Sequence, residues 1–215
     1  MTASAYRWWG VAFALAGVIA FSFRPILIKL AYAVPTEAGY AVSPTTLLFL
    51  RMAIALPFFG VIAWWLREQK PRLTAGDWAG IAGLGFIGYY LSSLLDFLGL
   101  QHVGAGVGRL IQFAYPTLVL VLSFLFLHKR PGRRELAALA MTYAGIALVV
   151  SNQTGAGAQD RQFLFGALLI FCCALTYAIY LVAGGELIKR VGSMRFTAYT
   201  MIVSTLPIAV QFYVL

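Results

Sequence analysis

The chain has 215 residues, 61% hydrophobic and 11% charged, with 16 Lys and Arg against 7 Asp and Glu and a formal net charge of +9. Soluble domains carry about 25% charged residues, so this composition, with a mean hydropathy of +0.85, excludes a soluble globular enzyme and predicts an all-α polytopic membrane protein. The 2 cysteines, Cys172 and Cys173, are adjacent in an apolar run and lack the spacing of a disulfide framework or a metal site, so neither a metal nor a cofactor is expected.

A membrane-spanning helix needs about 20 apolar residues. Taken in chain order, apolar runs between polar or Gly/Pro breaks predict seven transmembrane helices, over 8–32, 44–66, 77–101, 104–127, 134–151, 163–185 and 194–215. The runs are too long, and alternate too little, for barrel strands. The first carries Arg24, Pro25 and Lys29 and is too long for a cleavable signal peptide, so it reads as a retained span. The connecting segments are too short for a separate domain, and residues 1–215 read as a single transmembrane domain.

Arg7, the group Arg67, Lys70 and Arg72, the group Lys129, Arg130, Arg133 and Arg134, and the group Lys189, Arg190 and Arg195 all fall on one side of the predicted topology, against Arg161 on the other. Basic residues concentrate on the cytoplasmic side, which predicts a cytoplasmic N-terminus and accounts for the net charge without nucleic acid. Trp8, Trp9, Trp64, Trp65 and Trp78 lie at the same ends, where an amphipathic ring suits the headgroup level.

Ionisable groups within spans are costly and mark pathways or ligand sites. Arg24 in the first span, Arg51 in the second, Asp96 in the third and Arg109 in the fourth share a layer roughly 8 to 12 Å below the outer surface at 1.5 Å per residue. Lys29 lies nearer that surface, within snorkelling reach. Asp96 and Arg109 flank a short turn at matching depth and are expected to form a structural ion pair. Arg24 and Arg51 then have no carboxylate in the layer, which makes them the first candidates for substrate contact.

The third span adds Tyr89, Ser92 and Ser93 to Asp96 at helical spacing, a stripe that either lines a cavity or bonds neighbouring helices. Arg109, Gln112 and Pro116 continue the theme in the fourth span, and Cys173, Tyr177 and Tyr180 in the sixth. Pro25, Pro57, Pro116 and Pro207 lie inside spans, where each removes a backbone hydrogen bond and can kink the helix. Gly104-Ala-Gly106-Val-Gly108 lacks the Lys and Ser or Thr of a phosphate loop and reads as close packing. His102 and His128 lie at opposite faces, so no hydrolytic constellation forms and enzymatic activity is not expected. Asn152-Gln-Thr154 fits a glycosylation sequon but matches too easily to carry weight.

Internal similarity pairs Gly10 with Gly166, Phe21 with Tyr177, and Ala55-Leu-Pro57 with Thr205-Leu-Pro207. These place a first five-helix repeat over 8–151 and the first two helices of a second over 163–215. An odd-numbered unit inserts its second copy inverted, as in many transporters. The last span ends in Gln211-Phe-Tyr-Val-Leu without a polar flank and reads as truncated, with three helices of the second repeat missing.

Gly88-Tyr-Tyr-Leu-Ser-Ser-Leu-Leu-Asp-Phe-Leu-Gly-Leu100, Arg109-Leu-Ile-Gln-Phe-Ala-Tyr-Pro-Thr117, the Arg51 region and Tyr177-Ala-Ile-Tyr180 resemble the EamA-type branch of the drug/metabolite transporter superfamily, over nearly the whole chain. The resemblance implies a bacterial cytoplasmic (inner) membrane transporter of ten helices in two inverted five-helix repeats around a central cavity. Related sequences often place Glu directly before the fourth-span Arg, where this chain has Gly108, leaving Asp96 as the candidate partner of Arg109.

The expected function is therefore secondary transport or export of small polar metabolites by alternating access. Arg24, Arg51 and Arg109 outnumber Asp96 in the charged layer, which favours an anionic or zwitterionic solute such as an amino acid. The expected substrate-binding residues are Arg24, Arg51, Tyr89, Ser92, Arg109, Tyr177 and Tyr180. The expected partners are the lipid bilayer and a small-molecule substrate, with a homodimer or C-terminal helices supplied in trans left open. The alternative is a non-transporting membrane fragment or subunit that needs such a partner to complete the fold.

Overall fold

The computed structural model describes residues 3–33, 42–68, 72–128, 131–151 and 161–214. Lys70, Lys129, Arg130, the Asn152-Gln-Thr154 sequon and Leu215 lie outside the described residues. The chain divides into two compact units, Met1–Val42 and Ser43–Leu215. Among the described residues no strand occurs, and six helices are long and apolar enough to cross a membrane.

Among its described residues the first unit holds one helix, α1 (Ala3–Ala33), with Pro25 inside it and a membrane-length stretch from Trp8 to Ala33. Ser22 donates its hydroxyl to the Val18 carbonyl at 2.9 Å, so this polar side chain is satisfied within its own helix.

The second unit starts with α2 (Pro44–Trp65), where the Ser43 hydroxyl accepts from the Thr46 amide and Pro44 opens the first turn. This placement is favourable because the proline nitrogen would have no helical partner there. The third span begins with α3 (Ala75–Gly85). Thr74 and Asp77 form a reciprocal capping box, satisfying two amides at the helix start. The span then widens into a π-helical segment, Phe86–Leu91, and continues as α4 (Ser92–His102).

The fourth span is divided into α5 (Ala105–Gln112) and α6 (Tyr115–Leu127). Pro116 supplies the reason, since it has no amide to donate and its ring crowds the carbonyl four residues back, that of Gln112. The Ala114 amide instead donates to the Ile111 carbonyl at 3.0 Å, a tightened turn at the junction. The fifth predicted span is α7 (Arg133–Ser151), a helix of 19 residues that is not among the six.

The sixth span is α8 (Arg161–Val191) and the seventh α9 (Ser193–Val214). The sequence reading ends the sixth span at 185, yet the helix passes through Gly184 and Gly185 and stops only at Gly192. Gly184 serves packing: a Cβ there would meet the Phe196 ring at 3.1 Å. Gly192 has φ +88°, a left-handed conformation glycine adopts without steric cost, and its amide donates to the Ile188 carbonyl at 2.8 Å. One residue thus reverses the chain. Arg195, expected among the cytoplasmic-side cations at the start of the seventh span, is 4% exposed in the first turn of α9.

The third span packs against α8 and α9 through its glycines. A Cβ on Gly88 would lie 2.3 Å from Cγ of Tyr180, on Gly99 2.5 Å from Ile170, and on Gly85 2.9 Å from the Thr200 carbonyl oxygen. From the opposing side, a Cβ on Gly166 would reach His102 at 2.6 Å. Small residues let membrane helices approach to backbone contact, where dispersion drives association. Ile81, Leu84, Tyr180, Val191 and Phe196 form a buried cluster in this seam. The α9 hydroxyls of Thr200, Ser204 and Thr205 donate to carbonyls of their own helix at 2.8 to 3.0 Å, so burying them leaves no unmet donor.

Candidate functional site

The third-span stripe does not face a single neighbour. Tyr89 and Ser92 turn towards α8: the Tyr180 hydroxyl donates to that of Tyr89 at 3.5 Å, and Ser92 Oγ lies 3.4 Å from Cys173 Sγ. Ser93 turns to α2, where Arg51 Nη1 donates to its hydroxyl at 3.4 Å. Tyr90 turns to α9 and donates to Gln211 Oε1 at 3.0 Å. Asp96, one turn further along, is 3% exposed.

Aromatic rings fill the α8 side. Tyr180 meets Tyr89 edge to face at 5.3 Å between centroids and stacks on Phe196 at 5.7 Å. Tyr177 stacks with Tyr180 at 6.1 Å and meets Tyr115 of α6 edge to face at 5.5 Å. Offset and edge-to-face pairs at such separations are favourable beyond their buried area. Tyr180, predicted as a substrate contact, is 7% exposed and belongs to the apolar cluster, so in this conformation it mainly packs.

The fourth span enters through Arg109 and Gln112, one turn apart on α5. Arg109 Nη1 donates to Gln112 Oε1, and Gln112 Nε2 donates to Cys173 Sγ at 3.6 Å. Arg109 and Ser92 are thereby joined by polar groups of three helices, and Tyr89, Tyr177 and Tyr180 adjoin them. Arg51 reaches the same span from its other side through Ser93. Arg24 lies on α1, in the other compact unit, and its candidacy rests on its sequence depth.

Gln112 and Cys173 were legible as polar interruptions at helical spacing. Their contact with each other was not, because it depends on the rotation of α8 against α5. Tyr115, beside the break before Pro116, is part of the stretch that carries the family resemblance but was not among the expected site residues. Among the described residues, no group of His, Cys, Asp and Glu could hold a metal ion.

The geometry is a polar chain at the break of a discontinuous membrane helix, an arrangement transporters use to present backbone and side-chain groups to solutes. Residues 8–151 match the EamA-like transporter family. The chain belongs to that family.

Residues 106–215 also match solute carrier family 35. The uncharacterized transporter YcbK of Bacillus subtilis is 32% identical over 193 residues, covering 89% of this chain and 59% of its own length. An uncharacterized transporter of Archaeoglobus fulgidus is 25% identical over 166 residues, 77% of this chain and 56% of that protein. YdfC of B. subtilis is 29% identical over 176 residues, 80% and 54% respectively. The chain thus spans just over half the length of these EamA-family relatives. No solved structure matches it. Family membership and the apolar helices make this a multi-pass membrane protein in a lipid bilayer.

Proposed function

We propose that this EamA-family chain works in secondary transport of small anionic or zwitterionic solutes, such as amino acids, by alternating access in a bacterial cytoplasmic membrane. The observation that carries the reading is Arg109, held by Gln112 at the break of the fourth span within a polar chain that also draws on the third and sixth. A guanidinium presents planar, paired donors suited to a carboxylate. Arg109, Arg51, Ser92, Tyr89, Tyr177 and Tyr180 are the proposed solute contacts, with Arg24 added from its sequence depth. Asp96 is proposed to pair with Arg109 across residues 103 and 104; its near-complete burial supports this, since a buried carboxylate needs a partner.

The proposed topology has seven crossings and a cytoplasmic N-terminus, forming seven helices of a ten-helix inverted-repeat fold. The greater length of the relatives supports that count; a second proposed reading is that transport needs helices supplied by a partner chain. A homodimer is a further proposed arrangement. Alkaline phosphatase fused after His128 is expected to be inactive, and fused within residues 152–160 to be active; the reverse pattern overturns the orientation.

The test is uptake of radiolabelled amino acids by liposomes holding the full chain. Arg109→Gln is expected to weaken solute affinity about tenfold or more, because a hydrogen bond to a charged group contributes about 1.5 kcal/mol or more. Arg51→Lys and Arg24→Gln should weaken affinity more than they reduce folded protein. Transport confined to bulky cations overturns the solute class. Uptake that appears only when the C-terminal part of YcbK is co-expressed supports the second reading.

A further inference from the structure

Gln112 stands between the two halves of the polar chain. A guanidinium has donors and no acceptor, so Gln112 must turn its carbonyl oxygen to Arg109 and its amide nitrogen outward. That nitrogen meets Cys173 Sγ at 3.6 Å. The thiol has one proton, and Ser92 Oγ, at 3.4 Å, can accept it. The chain can therefore run in one donor direction, from Arg109 through Gln112 and Cys173 to Ser92, and hydrogen bonds aligned this way polarise one another.

The backbone adds a second constraint. Gln112 closes α5, and Pro116 has no amide to offer its carbonyl, so the fourth span is discontinuous where the side chain is pinned. Cys173 is 1% exposed and Ser92 5% exposed, both in the glycine-packed seam of the third and sixth spans. The Arg109 guanidinium is thus referenced to that seam as well as to its own helix.

We propose that Gln112 is a positioning residue that couples Arg109 to the sixth span through Cys173, so that the guanidinium meets a solute carboxylate in one orientation only while the fourth span is docked on this seam. This rests on the reading of Arg109 as a solute contact, and the test separates the two. In the full chain carrying Cys172→Ser, Cys173 is the single thiol, and its rate of alkylation by N-ethylmaleimide in liposomes reports local opening around a buried side chain.

Arg109→Leu, which removes no atom bonded to Cys173, is expected to raise that rate about threefold, the scale of one modest hydrogen bond. In the Gln112→Leu background the same substitution should leave the rate unchanged. Gln112→Glu keeps an acceptor for Arg109 but can only accept from the Cys173 thiol, so the donor at the sulfur is reversed and the Arg109→Leu effect should differ in size from that in the Gln112 chain. An Arg109→Leu effect that is absent, or equal in all three backgrounds, overturns the relay. If the coupling is present but Arg109→Leu leaves amino-acid uptake intact, the solute-contact reading fails, and with it the positioning role.

Discussion

The third and fourth spans are consecutive, separated by residues 103 and 104, yet they approach the sixth span to different depths. The third buries Gly88, Gly99 and Ser92 against α8, at distances that leave no room for a methyl group on either glycine. The fourth buries Gly108 alone among its α5 residues, where a Cβ would lie 3.1 Å from the end of the Ile170 side chain of α8, and none in α6; its other contacts with α8 include the Gln112 amide and the Tyr115 ring. Backbone contact of the first kind has a single register, because any shift drives a carbonyl or ring into a glycine. Side-chain contact of the second kind can be remade after a small rotation. For the proposed alternating access, this difference would supply one seam that holds and one that can be remade.

The largest effect expected from breaking this contrast is at Gly88. Its Cβ would fall 2.3, 2.4 and 2.7 Å from three atoms of Tyr180, so Gly88→Val must displace the ring or separate the helices. Overpacking a tight core costs on the order of 1–3 kcal/mol, and more where the backbone is involved; the melting temperature of purified protein should fall sharply or folded protein should be lost. Gly88→Ala combined with Tyr180→Ala should recover part of the loss of Gly88→Ala alone. A tolerated Gly88→Val would show that the third span is as movable as the fourth.

Next comes the end of the same seam. Asp77 is 4% exposed and accepts from the Thr74 amide at 2.7 Å and its hydroxyl at 2.8 Å. Asp77→Ala removes half of the capping box, and loss of a helix cap costs about 1 kcal/mol. Smaller still is Tyr177→Leu, which keeps apolar volume but ends the edge-to-face contact with Tyr115, a geometry worth about 0.5–1.5 kcal/mol. It should loosen the fourth span, measured as faster proteolysis within residues 105–127, without a comparable fall in melting temperature.

How much of this could be read from the sequence follows from the range of each cause. Spans are written in runs of apolar residues, and the break in the fourth is written in Pro116, whose effect reaches only to Gln112. The π-helical turn at Phe86–Leu91 has no such local cause, since Gly88 is required there by a ring 92 positions away in sequence. Gly184 and Gly185 resembled a terminator as much as Gly192 did. Only the Phe196 ring beside Gly184 distinguishes a packing glycine from the one that reverses the chain. Arg195 reads as one more cytoplasmic-side cation by composition, and its burial becomes visible only when Gly192 alone separates α8 from α9.

The smallest effect, and the sharpest for the comparison, is at Arg190. Its Nη2 lies 3.1 Å from Asp77 Oδ2 and 3.3 Å from Thr74 Oγ1, which makes an ion pair between the ends of the third and sixth spans. The Asp77 side chain is 4% exposed but that of Arg190 is 53% exposed, so water and salt screen the attraction, and such pairs contribute about 0–1 kcal/mol. The Asp77 carboxylate keeps both Thr74 donors when the arginine is removed, so no buried charge is stranded. Arg190→Gln should therefore lower stability by a few tenths of a kcal/mol, less than Asp77→Ala, and the loss should shrink further at high salt. If Arg190→Gln instead costs as much as Asp77→Ala and the cost is salt-sensitive, the third span is held by charge at its end, and the glycine seam is a consequence of that anchor.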